Sequence, residues 1–256
     1  MLDQLSPFGI IVHAPAPGAN LSAIDTAYVT QLVEQNRVVI LRGFSQLELD
    51  AFPNFCRKFG AILEWEFGSV NNLRVDPNAK NYLYTNHAVP FHWDGAFVSQ
   101  APHYIFFHCD VAPIGESGGE TLFCDTTRVL NHASAADLEL WKKIRITYTT
   151  EKVVHYGGTF TSPMIVSHPI NGTDVLRYAE PVTDLNPVTL TIDGLVGMAH
   201  SEFIADMNAR INDNSCCYEH PWLTGDVVIA DNFTLLHARN AFKDGVVRNI
   251  RRVNVL

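Results

Sequence analysis

The 256-residue sequence predicts an α+β protein in which an N-terminal helical segment flanks an all-β core of jelly-roll type. Two observations predict this fold class. Helical periodicity of apolar residues is concentrated in the first 64 residues. After residue 91 the chain breaks into short runs of β-branched and aromatic residues, separated by Gly, Pro and Asn. Because a chain of this length suits one barrel-like core, we expect a single domain over residues 1–256.

The N-terminal segment, about residues 1–64, combines two predicted helices with one strand. Apolar residues recur at helical spacing from Ser22 to about Gln35, behind a Ser-x-x-Asp start. The run RVVILRG, residues 37–43, is typical of a strand closed by glycine, and a second helix is expected after Ser45. Residues 65–91 have little periodicity and predict a long loop. Such a loop is either a lid over a site or an ordered surface loop.

The core, about residues 92–256, contains the predicted strands. They are the runs at residues 104–107, 121–124, 145–150, 175–178, 188–191, 227–230 and 251–255. One helix is expected among them, from Glu202 to about Asn212.

The composition argues against several classes of protein. The net charge is −9, from 18 Lys and Arg against 27 Asp and Glu, which disfavours binding to nucleic-acid phosphates. No apolar run reaches the ~18 to 20 residues that span a bilayer, and the N-terminus lacks a signal-peptide pattern. Five cysteines without CxxC spacing suit reduced thiols. We therefore expect a cytoplasmic protein that binds a small molecule rather than nucleic acid or membrane; homo-oligomer formation is left open.

Three pairs place a histidine two positions before an acidic residue: His92–Asp94, His108–Asp110 and His200–Glu202. Because residues i and i+2 of a strand point to one face, such a pair can bind one metal ion. Spacing alone does not choose among the pairs, but context favours the first, which follows the long loop. His108 lies inside the apolar run YIFFHCDV, where a structural role is favoured, and His200 begins the predicted helix, where capping is favoured.

A site with two histidines and one carboxylate needs a third ligand from a distant strand. His237 stands at the start of a predicted strand after an Asp-Asn turn and is a candidate, although a hydrogen-bonded structural histidine would fit that position too. In the final run VVRNIRR, strand periodicity puts Arg248 and Arg252 on one face and Arg251 on the other. An inward arginine needs a carboxylate partner, whereas an edge strand would leave both arginines solvated.

Five segments together resemble, in order, the taurine dioxygenase and 2,4-dichlorophenoxyacetate dioxygenase (TauD/TfdA) family. The segments are FHWDG at residues 91–95, GGETLFCDT at 118–126, SHP and LRY within 167–178, GDVVIADN with LLH at 225–237, and VVRNIRR at 246–252. The resemblance extends from about residue 24 to the end of the chain. It implies a double-stranded β-helix, the cupin-like form of the jelly roll, with flanking helices.

The resemblance also implies an iron(II)- and 2-oxoglutarate-dependent dioxygenase. His92, Asp94 and His237 would bind iron(II), and Arg248 with Thr121 would hold the distal carboxylate of 2-oxoglutarate. Dioxygen would oxidise a small substrate, with succinate and CO2 as co-products. Two alternatives stay open: a non-catalytic binding domain, and a cupin-like metalloprotein that does not use 2-oxoglutarate.

Within the family, the sequence looks most similar to oxygenases that hydroxylate or desaturate an amino-acid-derived isonitrile, such as that of tyrosine, in secondary metabolism. Arg252 matches a position that contacts an anionic substrate in some members. Tyr84 and His87 in the loop, and Phe97 after FHWDG, are further predicted substrate contacts. Ala88 offers no polar side chain, which disfavours a sulfonate substrate. A taurine- or aryloxyalkanoate-type enzyme acting on another small anion is the alternative.

Overall fold

The computed structural model describes residues 1–66, 68–98, 100–153 and 156–256. Five α-helices are found there: α1 (Thr26–Asn36), α2 (Ala51–Cys56), α3 (Thr126–His132), α4 (Ala135–Trp141) and α5 (His200–Ile211). Leu21–Ala23 and Tyr82–Tyr84 form short 3-10 helices. None of the helices in these ranges combines the length and the apolar character needed to cross a bilayer.

Strands make up most of the regular secondary structure. They are β1 (Leu2–Gln4), β2 (Ile10–His13), β3 (Val38–Arg42), β4 (Asn71–Leu73), β5 (Val89–His92), β6 (Tyr104–Val111), β7 (Thr121–Asp125), β8 (Arg145–Val153), β9 (Tyr156–Pro163), β10 (Ile165–Ser167), β11 (Asp174–Leu176), β12 (Thr189–Asp193), β13 (Cys217–His220), β14 (Val227–Asp231), β15 (Leu235–Arg239) and β16 (Asn249–Val255).

Two sheets form a sandwich. The major sheet has the order β1-β2-β3-β14-β6-β16-β4, and the minor sheet has the order β13-β7-β15-β5. Phe107, Val228 and Ile250 from the major sheet pack against Phe123 and Leu235 from the minor sheet. Burial of these apolar side chains between the sheets stabilises the sandwich. The predicted jelly-roll core with flanking helices is confirmed.

The opposite face of the major sheet is covered by the N-terminal helices. Phe106, next to Phe107 in β6, points to this face and packs with Val29 of α1 and Phe52 of α2. Helix α1 starts later than its periodicity suggests, because Asp25 is the N-cap and accepts hydrogen bonds from the backbone of Ala27 and Tyr28.

Two parts of the predicted subdivision differ in the structure. In the N-terminal segment the predicted strand is β3, but β1 and β2 join it in the major sheet, so this segment is more than a helical flank. The expected loop of residues 65–91 contains β4, a 3-10 helix and most of β5. Strands of three or four residues are too short to produce a periodic signal. Helix α5 begins at His200 with Ala199 as N-cap, so the capping role predicted for His200 is also wrong.

Smaller elements cover the outer face of the minor sheet. The order β12-β8-β9 forms a three-stranded sheet and β10-β11 a two-stranded one. Tyr148 of β8 and Phe203 of α5 belong to the same apolar cluster as Phe91 of β5 and Leu236 of β15. This layer supplies one wall of the cavity described below.

Candidate active site

Three metal-ligand side chains converge where β5 and β15 pair. His92 and His237 are direct register partners across these antiparallel strands. Asp94 lies just beyond the end of β5, and its Oδ1 is 3.8 Å from Nε2 of His92 and 3.9 Å from Nε2 of His237. The ligand atoms of all three residues lie within 4.8 Å of one another. Such a triad can hold one face of a single ion and leave the other face for further ligands.

Hydrogen bonds orient the ligands. Nδ1 of His92 donates to the carbonyl of Pro90 at 2.8 Å, which directs Nε2 toward the metal position. The backbone N–H of Asp94 donates to Oδ1 of Asn232 at 2.9 Å, and Nδ2 of Asn232 donates to the carbonyls of Asp94 and Pro102, each at 2.8 Å. Asn232 thus fixes the turn that carries the carboxylate. No local pattern in the sequence points to this role of Asn232.

The charges of the triad suit a divalent cation. Burial would raise the pKa of Asp94, but Arg252, His237, His92 and Asn254 more than offset it and lower that pKa to about 2. Burial lowers the pKa of both histidines. An ionised carboxylate and neutral imidazoles are the forms that bind metal.

Strand β16 places Arg252 and Arg251 on opposite faces, as its periodicity predicts. Nη1 of Arg252 donates to Oδ1 of Asp94 at 3.1 Å, so this guanidinium holds the metal-ligand carboxylate. Nη2 of Arg251 instead donates to Asp110 at 2.7 Å on the other side of the sheet. Nε of Arg252 is buried and finds no partner in the described ranges. Its predicted contact with an anionic substrate stays a prediction.

Arg248 lies just before β16 in a buried position. Its Nε donates to the carbonyl of Gly119 at 2.8 Å and its Nη2 to Oγ1 of Thr121 at 3.4 Å, while Nη1 has no partner among the described residues. Burial lowers the pKa of Arg248 to about 9. Because a buried N–H without an acceptor costs free energy, this guanidinium is suited to bind a carboxylate. Trp222 donates to the same Thr121 hydroxyl at 3.1 Å and fixes it.

A single cavity connects this guanidinium with the metal ligands. We call it the arginine cavity; its lining includes His92, His237, Thr121, Arg248 and Arg252. A 2-oxo dicarboxylic acid fits this donor set, because its oxo acid end can chelate a metal ion and its distal carboxylate can meet Arg248.

A second cavity also reaches the candidate metal ligands His92 and Asp94. This aromatic cavity is lined by Trp65, Tyr82, Leu83, Pro90, His92, Trp93, Asp94, Gly95, Ala96, Phe97, Val98, Tyr148, Ala179, Glu180, Val182, Val188 and Arg252. Phe97 therefore lies where the sequence analysis expects a substrate contact. The apolar walls suit the aryl part of a small molecule.

Two other predicted substrate contacts lie elsewhere. The hydroxyl of Tyr84 donates to Oδ1 of Asn71 at 3.1 Å, and Tyr84 lines a separate groove over residues 70–84. His87 is exposed and pairs with Asp184. Their neighbour Tyr82 lines the aromatic cavity instead. The loop prediction could not resolve which side chains turn inward, because the 3-10 helix at Tyr82–Tyr84 has no detectable pattern in the sequence.

His108, one of the competing histidines, is a hydrogen-bonded structural group. Nδ1 of His108 lies 2.8 Å from Oδ1 of Asp110, and its Nε2 accepts the backbone N–H of Leu47 at 3.3 Å. The structural role predicted for His108 is confirmed.

A second grouping, His103, His168 and Asp231, was not identified in the sequence. Nδ1 of His168 accepts the backbone N–H of Ile170 at 3.2 Å, so the ring proton is on Nε2, 3.6 Å from Oδ2 of Asp231. In this tautomer Nε2 carries the proton and faces the carboxylate, so it offers no lone pair to a metal ion.

Comparison with known proteins identifies the family. Residues 4–254 match the family described as "Taurine catabolism dioxygenase TauD, TfdA family". The chain belongs to the TauD/TfdA family. The predicted family and the predicted class of enzyme, an oxidoreductase, are confirmed.

Relatives of this TauD/TfdA protein act in isonitrile chemistry. The whole chain aligns with 95% of a 3-((Z)-2-isocyanoethenyl)-1H-indole synthase of Fischerella ambigua, and the two sequences are 41% identical. In the same way, 97% of the chain aligns with 87% of a tyrosine isonitrile desaturase of Pseudomonas aeruginosa, at 31% identity. A crystal structure of PvcB from Pseudomonas aeruginosa aligns with a TM-score of 0.83 and 29% identity, over 97% of this chain and 86% of that one. A second structure describes PvcB as an Fe, α-ketoglutarate dependent oxygenase from an isonitrile synthetic pathway.

A taurine dioxygenase from Burkholderia xenovorans shares the fold, with a TM-score of 0.73 at 17% identity over 100% of this chain and 90% of that one.

The residues of this TauD/TfdA chain fit the cofactors that the sequence predicts. Two imidazoles and one carboxylate suit iron(II), and the unpaired Nη1 of Arg248 suits the distal carboxylate of 2-oxoglutarate.

Proposed function

We propose that the protein is an iron(II)- and 2-oxoglutarate-dependent oxygenase that desaturates or hydroxylates an aryl-bearing, amino-acid-derived isonitrile. The observation that carries the oxygenase assignment is the arginine cavity, which joins the two histidines of the triad, His92 and His237, to the buried guanidinium of Arg248. A cupin-like metalloprotein that does not use 2-oxoglutarate would have no use for an unpaired buried arginine beside its metal ligands.

The side chains of the site have distinct roles in the proposed reaction. His92, Asp94 and His237 would hold iron(II), which would supply coordination sites for 2-oxoglutarate and dioxygen. Arg248 and Thr121 bind the distal carboxylate of 2-oxoglutarate. Per turnover, 2-oxoglutarate and dioxygen give succinate and CO2, and the second oxygen atom either enters the substrate as a hydroxyl group or leaves as water with the two hydrogens that the substrate loses. The buried cavity keeps bulk water away from the reacting groups.

The substrate class rests on the relatives and on the aromatic cavity. The indole and tyrosine isonitrile enzymes match almost the whole chain. Trp93, Phe97 and Tyr148 line the cavity next to His92, so an aryl ring can be buried close to the metal position. These walls favour an aryl substrate over taurine, which is small and fully polar.

The test is a substrate screen with purified protein, iron(II), ascorbate and 2-oxoglutarate. We expect the isonitriles of tryptophan and tyrosine to stimulate succinate release, with a product two mass units lighter or sixteen heavier. Taurine and a phenoxypropionate serve as comparison substrates, and Arg248→Met as the control protein. Absence of isonitrile-dependent succinate, or faster turnover of taurine, would contradict the proposal.

A further inference from the structure

Glu180 brings a carboxylate into the wall of the aromatic cavity. It follows β11 by four residues and packs against β5, the edge strand of the minor sheet. The backbone N–H of Glu180 donates to the carbonyl of Phe91 at 2.9 Å, and the N–H of Phe91 donates to Oε2 of Glu180 at 2.7 Å. These two bonds fix Glu180 one residue from the metal ligand His92.

This carboxylate lacks a cation. In the described part of the chain no Lys, Arg or His pairs with Glu180, and Oε1 accepts no hydrogen bond. Burial raises the pKa of Glu180, which reflects the poor solvation of its charge. Arg252, the guanidinium that lines the same cavity, is committed to Asp94. The hydroxyl of Tyr148 donates to the carbonyl of Arg177 at 3.3 Å, so it is not available to Glu180.

The aromatic cavity also presents apolar side chains beside Glu180. Trp93, Phe97, Val182 and Val188 line the cavity with it. A half-buried acceptor among apolar walls costs free energy unless the bound molecule supplies a donor. An aromatic ring that carries a donor can pack against the apolar walls and also donate a hydrogen bond to the carboxylate.

We propose that Glu180 is the specificity residue for the substrate ring, and that its carboxylate accepts a hydrogen bond from an N–H or O–H group on that ring. An indole N–H and a phenol O–H both qualify. This inference rests on the proposed function and deepens it. An aliphatic ammonium is a poorer occupant, because it carries three donors and the one oxygen of Glu180 left by Phe91 cannot satisfy them.

The expected consequence is discrimination against rings without a donor. A ligand without a donor would displace the remaining water around the carboxylate and form no hydrogen bond in its place, which weakens binding. A site built around such a hydrogen bond typically favours the donor-bearing ligand by about 10-fold to 100-fold.

The test compares matched ligands by anaerobic calorimetry on protein loaded with iron(II) and 2-oxoglutarate. The pairs are the isonitriles of tyrosine and phenylalanine, and those of tryptophan and N1-methyltryptophan. We expect the wild type to bind the first member of each pair about 10-fold more tightly or better, and Glu180→Gln to remove most of that preference. Glutamine retains one oxygen for the N–H of Phe91, so the fold should survive. Glu219→Gln, exposed on β13, is the matched control and should retain the preference.

Three outcomes would overturn the role of Glu180: equal affinity within both pairs, an unchanged preference in Glu180→Gln, or tighter binding of free tryptophan than of its isonitrile. Failure of the proposed function is a separate result, because it appears as absence of isonitrile-dependent succinate. If no isonitrile binds, the same comparison uses indole against N-methylindole and phenol against anisole, measured by ligand-observed NMR. If the wild type bound indole no better than N-methylindole, and phenol no better than anisole, the inference would also be overturned.

Discussion

Arg252 reaches from β16 to Asp94, and its Nη1 lies 3.1 Å from the carboxylate that completes the metal triad. Asn254, two residues on and on the same face of the strand, donates to the other oxygen of Asp94 at 2.7 Å. The carboxylate is therefore ionised and oriented by residues that do not bind the metal themselves. Such outer partners set metal affinity as well as ligand geometry.

Loss of Arg252 should weaken iron binding before it damages the fold. We expect Arg252→Met to raise the iron(II) dissociation constant by about 10-fold or more, with a smaller effect for Arg252→Lys, which retains the charge. Anaerobic equilibrium dialysis with metal analysis measures this. Unchanged affinity in Arg252→Met would show that Asn254 alone orients the carboxylate.

Removal of a metal ligand should abolish turnover with little cost to folding. Asp94→Asn keeps the shape of the side chain, and His237→Ala removes a ligand at the cavity wall. We expect both variants to lose bound iron(II) and 2-oxoglutarate-dependent succinate release, while the far-UV circular dichroism spectrum stays like that of the wild type. Chelation of iron from the wild type should reproduce the loss. Activity retained in Asp94→Asn would contradict the role of Asp94 as a metal ligand.

Arg248 should control the affinity for 2-oxoglutarate. We expect Arg248→Lys to raise the KM for 2-oxoglutarate by on the order of 10-fold or more, because one ammonium cannot replace the guanidinium fork. Thr121→Val should have a smaller effect, since its contact with Arg248 is long at 3.4 Å. An unchanged KM in Arg248→Lys would redirect attention to Arg252.

Gly119 should be required for the position of Arg248. A Cβ added at Gly119 would lie 3.0 Å from Cδ of Arg248, and its φ of +88° is unfavourable for other residues. Gly115→Ala is the control, because its φ is +61° but nothing lies within 4 Å of the added carbon. Both variants should lose about 1 to 3 kcal/mol of stability through backbone strain. Only Gly119→Ala should also raise the KM for 2-oxoglutarate; equal values for the two variants would contradict this.

A buried ion pair away from the site predicts a pH dependence of stability. Arg42 binds both oxygens of Asp226, at 2.9 and 2.7 Å. Burial would raise the pKa of Asp226, but Arg42 and His220 more than offset it, so that pKa is lowered on folding. The stabilisation is therefore complete above the unfolded pKa of about 3.9 and is lost as the pH falls through the folded pKa.

Asp226→Asn should accordingly lower the free energy of unfolding by about 2 kcal/mol near neutral pH, because it leaves a half-buried guanidinium without its carboxylate. The difference from the wild type should shrink as the pH falls below about 4, the ordinary pKa of an aspartate. Chemical denaturation across this range measures it. A difference that grows toward low pH would refute the assignment.

Local patterns in the sequence predict much of the site. Period two in the last strand separates Arg248 and Arg252 from Arg251, and the structure has that alternation. The same periodicity makes His92 and Asp94 a candidate pair. These features depend only on near neighbours in the chain and on the geometry of an extended backbone.

Only the tertiary structure decides which candidate pair receives a third ligand. His237 lies opposite His92 because β15 pairs with β5, and no local pattern encodes pairing between strands so far apart. The same pairing of distant segments turns Tyr84 and His87 away from the aromatic cavity and brings Glu180 into it. The sequence by itself determined the chemistry of the ligands and the face of each strand on which they lie. The register between distant strands, set by packing of the two sheets, decided where those faces meet.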